Sequence, residues 1–179
     1  MPTLRPFRDY DERDVINLFS FSGSIPTNKG TLVKIVGSGF LPTDQDSLEM
    51  LGNVGAGYNN TVSQRYGTPY KVAVAGTGDA VVGMMLFDVK ETDENGELLK
   101  FNPRKAAEME AVLSGQVVPL VTRGTFMYSG FTGSVTAGAS LYVGDNGLID
   151  STQRNGAVKV GQALSAKDSL GYVTVKLDI

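Results

Sequence analysis

The residue types that do most of the chemistry in proteins are missing from this chain. It has 179 residues and contains neither histidine nor cysteine. Without histidine, the commonest general base and the commonest ligand of transition metals are absent. Without cysteine, disulfides, thiolate zinc sites and cysteine nucleophiles are excluded. Enzymes can work with carboxylates, lysines and tyrosines alone, but because His leads acid–base catalysis the two absences together lead us to expect no enzyme, no catalytic residues, no metal site and no cofactor.

One acidic segment imitates a calcium-binding loop. Glu91, Asp93, Asn95 and Gly96 have the spacing of the first half of such a loop. The loop requires Asp at its first position and a bidentate Glu at its twelfth, where this chain has Glu91 and Asn102. Because that chelator is missing, we interpret the segment as a solvated hairpin turn.

Two pairs of carboxylates could be drawn as the acid pair of a glycosidase. They are Asp88 with Glu91 and Asp145 with Asp150. Nothing in the sequence fixes the separation of about 5–10 Å that such pairs require. Acids near hairpin ends usually form turns, so we interpret both pairs as structural.

Three further segments resemble ligand or modification sites. AGTGDA (75–80) and NKGT (28–31) are rich in glycine or lysine, but neither has the Gly-Lys-Ser/Thr order and following helix of a phosphate-binding loop. Lys159 resembles the modified lysine of biotinyl domains, which sits at a hairpin tip. Here the predicted turn is at 155–156, so we expect Lys159 on the solvent face of the next strand.

The elements that must position these residues are clearest in residues 117–179. VVPLVT, GTFMYS, ASLYV, GAVKV and GYVTVKLDI are β-prone runs separated by glycine turns. Asn146-Gly147 and Asn155-Gly156 predict hairpins. From residue 172 to residue 179 polar and apolar side chains alternate, which indicates one wet face and one buried face. Short strands at intervals of about 8–12 residues predict a mainly β, antiparallel sandwich or barrel, jelly-roll-like.

Before that stretch we predict one β-rich domain, residues 30–179, preceded by an extended N-terminal arm, residues 1–29. GTLVKIVG (30–37) is a strand, and the nearly continuous apolar run 81–89 belongs in the most buried part of a sheet. A long loop covers about 38–69. One short helix covers about 103–114, with Asn102 as its N-cap and Pro103 at its first position.

The arm contains one segment with two interpretations. VINLFSFSG (15–23) is too apolar to be left in water. It is either the first strand or turn of the core, or an arm that lays its aromatic side chains on a neighbouring subunit.

Composition also limits the partners. The formal net charge is −3 without a basic block, so we expect no nucleic acid partner. No apolar run approaches the about 20 residues of a membrane helix, and the N-terminus lacks the apolar core of a signal peptide. We therefore expect no membrane and synthesis in a cytoplasm.

The order of these segments resembles that of the head decoration (cement) proteins of tailed bacteriophages. The likeness rests on RPFRDYDERDVINLFSF, then NKGTLVKIVGSG, then SVTAGASLYVGDNGLI, GAVKVGQALS and GYVTVKLDI. It implies a structural virion protein, made in the host cytoplasm and located on the outer capsid surface. There it would bind the major capsid protein as a homotrimer and cement neighbouring capsid subunits.

The resemblance implies that the arm reaches over capsid protein. From the aromatic content of 57–70, and not from the resemblance, we infer that this segment joins the subunit contacts. The predicted contact residues are Leu4, Arg5, Phe7, Tyr10, Val15, Ile16, Leu18, Phe19, Phe21, Tyr58, Tyr66 and Tyr70.

Two other functions remain open. One is another virion part, such as a tail-tube or fibre-base protein. The other is a carbohydrate-binding or receptor-binding module, although the chain has no tryptophan. Only Tyr58, Tyr66 and Tyr70 form an aromatic cluster that could stack on a sugar.

Overall fold

The structure is a computed structural model that describes residues 3–8, 10–39 and 70–179. Its described residues form two large curled sheets and one two-stranded sheet, with one α-helix among them. Together the antiparallel-rich sheets make a half-barrel, which confirms the predicted mainly β class and sandwich or barrel architecture.

The seven-stranded sheet is built mostly from the C-terminal part of the chain. All its neighbouring strands are antiparallel except β11 (Phe131–Thr132) and β13 (Ile149–Asp150), which are parallel. In β15 (Val173–Asp178) the side chains of Val173, Val175 and Leu177 are fully buried, while Lys176 and Asp178 are exposed. The predicted alternation is therefore confirmed. From edge to edge the strands are β1 (Leu4–Pro6), β10 (Arg123–Tyr128), β15 (Val173–Asp178), β14 (Lys159–Ala163), β12 (Ser140–Val143), β13 (Ile149–Asp150) and β11 (Phe131–Thr132).

The six-stranded sheet lies against the first and is buried on both faces. Leu32 and Met84 point into the core shared with the seven-stranded sheet. Their neighbours Val33 and Met85 point the other way, into a second apolar cluster. Burial on both sides explains why these strands have continuous apolar runs. In order they are β2 (Val15–Ile16), β9 (Leu120–Val121), β6 (Gly83–Met85), β4 (Leu32–Val36), β5 (Lys71–Val74) and β3 (Ser20–Phe21).

The N-terminal segment is extended, as predicted, but its described residues are paired with both sheets. β1 pairs with β10, β2 with β9 and β3 with β5. Phe19 and Phe21 are each 4% exposed, and they cover the second face of the six-stranded sheet. Of the two interpretations of VINLFSFSG, the structure shows the core one, because these rings gain most from burial beside that apolar sheet.

The helix is shorter than predicted. α1 spans Pro103–Glu108, and the side chain of Asn102 caps it by accepting from the backbone N–H of Lys105 at 3.2 Å. The prediction of a helix to 114 is corrected, because Glu110 has a φ of 49° and leaves the helical conformation. The next residues form β8 (Ala111–Val112), which pairs in parallel with β7 (Asp88–Val89).

The two predicted hairpin turns differ. Asn146 and Gly147 have φ values of 58° and 69° and connect β12 to its antiparallel neighbour β13, so this hairpin is confirmed. The turn at Asn155-Gly156 is closed by a bond from the N–H of Ala157 to the carbonyl of Arg154, 2.9 Å. It is not a hairpin turn, because β13 and β14 lie on opposite sides of β12. The predicted loop at about 38–69 lies almost entirely outside the described residues.

Candidate interaction surfaces

The calcium-like segment is closed by a lysine of the same chain. The Asp93 side chain is fully buried, pairs with the ammonium of Lys105, and accepts from the N–H groups of Asn95 and Glu97, each at 2.8 Å. These bonds, led by the one from Lys105, lower the pKa of Asp93. The carboxylate therefore anchors its turn to α1, which is a structural role. Across residues 3–8, 10–39 and 70–179 no cluster of three or more metal-ligating side chains is found.

The acid pair Asp145 and Asp150 is joined by a guanidinium. Arg154 donates to Asp145 at 2.7 Å and lies 3.1 Å from Asp150. Asp145 also accepts from the hydroxyl of Thr77 at 2.9 Å, and this bond, followed by that from Arg154, lowers its pKa. Both carboxylates are thus engaged by the same guanidinium, and the side chain of Asp150 is only 4% exposed, which favours the structural interpretation.

The glycine-rich segment 75–80 is a tight turn. Asp79 accepts from the N–H of Gly76 at 2.7 Å and from the ammonium of Lys34 at 2.9 Å. These bonds lower the pKa of Asp79, the largest cause being Lys34. An anion brought to this turn would meet a carboxylate already in place, so the turn is unsuited to binding phosphate.

Four of the predicted contact residues belong to the core. Leu4, Phe19, Phe21 and Tyr70 are at most 9% exposed. Leu4 packs in the core between the two large sheets, and the other three pack in the second cluster. They stabilise the fold and offer little surface to another protein, which corrects their place among the contact residues.

The exposed members of the predicted set lie mainly beside β10. The N–H of Phe7 donates to the carbonyl of Thr125 at 3.0 Å, yet the Phe7 side chain is 55% exposed. The ring of Tyr10, 38% exposed, is tilted against Phe126 with centroids 5.9 Å apart. Phe7 and Tyr10 each expose part of an aromatic ring beside β10, and we call these two rings the aromatic edge.

The other predicted contact residues are separate from that edge. Arg5 is exposed, with its guanidinium 5.4 Å from the centroid of the Tyr172 ring. Val15 and Ile16 are half-buried in β2, at the edge of the six-stranded sheet, and Leu18 follows them as an exposed side chain. Tyr58 and Tyr66 lie outside the described residues.

A surface that the sequence interpretation missed covers the outer side of the seven-stranded sheet. Strand register places Thr125, Lys176, Gln162 and Ser140 in one row across four strands. We call this surface the basic face and define its charged members as Arg5, Arg123, Lys159, Lys176 and Asp178. The prediction that Lys159 lies on the solvent side of its strand is confirmed, because its side chain is exposed.

The charges of the basic face are mostly uncompensated. Arg123 lies 3.5 Å from Asp178, the single acid in the set. Lys159 and Lys176 form no ion pair with any residue that the structure describes. Both line a shallow cleft of about 220 Å³, together with Gly161, Gln162 and Asp178. A partner reaching this cleft therefore meets two ammonium groups without an ion-pair partner among the described residues, together with the carboxylate of Asp178.

Two exposed apolar tips complete the surface. Leu98 is the N-cap of a short 3-10 turn before α1, and Phe101, 78% exposed, is the last residue of that turn. Leu164 and Leu170, 50% and 79% exposed, lie in the connection between β14 and β15. The two tips lie in separate connecting segments, one between β7 and α1 and the other between β14 and β15.

The fold and its surfaces define the class of this protein: two stacked, curled sheets, one of them with a broad polar face. No protein-family model, no curated protein and no solved structure matches the chain. Among the described residues, no helix is both long and apolar enough to cross a membrane.

Proposed function

We propose that this chain is a structural virion protein that binds the outer surface of a phage capsid and cements neighbouring capsid subunits as a homotrimer. Its partners in this role are the major capsid protein and further copies of itself. The proposal rests on the resemblance of its segments to head decoration proteins, and it includes no catalytic step and no cofactor.

The observation that best supports the proposal is the exposed aromatic edge on the N-terminal segment. Phe7 and Tyr10 lie between β1 and β2, strands that are paired with β10 and β9 respectively. The edge is therefore carried by a segment that is fixed at both ends to the two sheets. A partner can bury these rings without paying the entropy of ordering a free arm, and closed symmetry would present the edge several times.

The direct test is co-sedimentation of the purified protein with expanded, undecorated phage heads, with unexpanded proheads as control. We expect saturable binding to expanded heads alone, at a stoichiometry that reports a trimer. Phe7→Ser/Tyr10→Ser should weaken this binding, while Leu170→Ser, which changes an exposed side chain elsewhere, should not. Absence of binding to either form of head would refute the proposal.

Truncation of the N-terminal segment is a poor substitute for these point variants. Removing residues 1–21 would delete β1, β2 and β3 and uncover the second face of the six-stranded sheet. We therefore expect this deletion to unfold the protein, so its loss of binding would say nothing about the arm.

The two alternative functions receive less support. Of the three tyrosines suggested for a sugar site, Tyr70 is only 9% exposed, and Tyr58 and Tyr66 lie outside the described residues. A tail-tube or fibre-base protein would assemble into rings or tubes in place of separate capping trimers, which electron microscopy of the purified protein distinguishes.

A further inference from the structure

We propose that the basic face is a docking surface for a carboxylate-rich patch of a partner protein. The inference deepens the proposed function and rests on it only for the first partner to be tested, the capsid protein. It assigns a role to Lys159 and Lys176, neither of which is among the predicted contact residues.

The first argument is the distribution of charge. The chain as a whole has a formal net charge of −3. The basic face as defined nevertheless holds four cationic side chains and one carboxylate, which is already beside Arg123. Asp150, which strand register places beside Tyr142 on the same side of the sheet, is buried and paired with Arg154. A local field of opposite sign to the whole molecule orients an acidic partner toward this one side and speeds its encounter.

The second argument is the shape of the basic face. Between the charged residues lie short or half-buried side chains, Thr125, Met127, Thr174, Ser140 and Tyr142. Lys159 and Lys176 are both exposed and line the same cleft. A carboxylate entering the cleft can interact with both ammonium groups, whereas each lysine alone on a solvated surface would contribute little.

The third argument selects protein over nucleic acid. A protein that makes about 6–10 phosphate contacts needs a comparable number of cationic or N–H donors, and this face offers four cations. A long polyanion would also extend past the face onto a molecule that is negatively charged overall. A compact acidic patch on a folded protein avoids both difficulties.

The test compares two double variants that change net charge equally. Lys159→Glu/Lys176→Glu reverses the basic face. Lys71→Glu/Lys100→Glu, the control, reverses two exposed lysines elsewhere, one in β5 and one beside Phe101. Circular dichroism would establish that all proteins are folded. Binding is then measured to an immobilised polyglutamate short enough to lie within the face, to duplex DNA of equal charge and to expanded heads, each at low and at physiological salt.

We expect the wild type to bind polyglutamate in a salt-dependent manner and the basic-face variant to bind at least about tenfold more weakly. The control variant should bind like the wild type. Equal losses in the two variants would show that net charge alone matters and would overturn the inference. So would the absence of binding to polyglutamate, or tighter binding to DNA.

The two proposals fail in different ways. If the wild type binds polyglutamate through the basic face but does not bind heads, the capsid function is refuted and the docking surface stands. If heads bind the wild type and the basic-face variant equally, the docking surface is refuted for the capsid while the capsid function stands.

Discussion

The two large sheets differ in how many of their faces are buried. In the six-stranded sheet, Leu32 and Val33 are adjacent in β4 and neither is exposed, because one faces the other sheet and the next faces the N-terminal segment. In the seven-stranded sheet, Leu177 is fully buried while its neighbour Lys176 is exposed. One sheet is thus an interior layer, and the other forms an outer wall.

This difference separates stability from recognition. Every position of an interior layer is constrained by packing at near-crystalline density, so substitutions there act on folding. The outer wall has one face free of that constraint, and its side chains can be chosen for a partner. The basic face lies on the outer wall. Among the described residues of the interior layer, side chains are exposed to solvent only near strand ends, as at Ile35 and Val36.

The same substitution in each sheet gives the largest expected contrast. Val33→Asp would bury a carboxylate without a partner in the second apolar cluster, and we expect a loss of about 4 kcal/mol or more in the free energy of unfolding. Lys176→Asp places the same side chain on the basic face and should change it by at most about 0.5 kcal/mol. Urea denaturation followed by circular dichroism measures both.

A tolerated Val33→Asp would break the comparison. It would mean that the second face of the six-stranded sheet is accessible to water and that the N-terminal segment does not cover it. The midpoint and slope of the urea transition must be read together, since a changed slope would report a change in the denatured or native ensemble.

The covering segment itself gives the next contrast. Phe21 is 4% exposed and packs on the six-stranded sheet, so Phe21→Ala should destabilise the protein by about 3–5 kcal/mol. Phe7, 55% exposed, belongs to the same segment, and Phe7→Ala should cost at most about 0.5 kcal/mol. Thermal and urea unfolding test the pair. Similar losses in both variants would contradict the division of this segment into core and contact residues.

Strand positions were largely predictable from the sequence, and strand partners were not. The alternation in 172–179 and the apolar run in 30–37 are local signals, and both strands form where expected. Partner choice depends on contacts between distant residues. The run 81–89 was expected to be one strand, but it divides into β6 and β7, which belong to different sheets, because Leu86 and Phe87 turn between them.

The candidate surface was less predictable for the same reason. Periodicity placed Lys159 and Lys176 on solvent faces, but only the register of β10, β15, β14 and β1 brings Arg123 and Arg5 onto the same side. In the N-terminal segment, the apolar composition of Phe19 and Phe21 fitted both a core and a contact surface. The six-stranded sheet has an apolar face that this segment covers, so the two phenylalanines belong to the core. That face is created by strand pairing and cannot be seen in the local sequence.

A glycine of the outer wall tests how closely two of its strands are spaced, with a moderate expected loss of stability. A Cβ atom at Gly161 would overlap the carbonyl oxygen of Lys176 in the adjacent strand. Gly161→Ala should therefore force β14 away from β15 and destabilise the protein by about 1–3 kcal/mol. Gly76→Ala is the matched control, because its Cβ would meet only the carboxylate of Asp79 at 3.5 Å. If Gly161→Ala is as stable as Gly76→Ala, the two strands are not as closely spaced as described.

The smallest effect concerns pH and the segment that joins β7 to β8. The pKa of Asp93 is lowered from its ordinary 3.8, chiefly by the hydrogen bond from Lys105. A lowered pKa in the folded state means that the ion pair stabilises the protein above pH 3.8 and that this stabilisation is lost as the pH falls below that value. Thermal midpoints of the wild type should therefore decline on acidification more steeply than those of Asp93→Asn. Glu94→Gln, an exposed carboxylate in the same turn, is the control for net charge. Parallel curves for the wild type and Asp93→Asn would show that this anchor, unlike the apolar contacts of the six-stranded sheet, contributes nothing to folding.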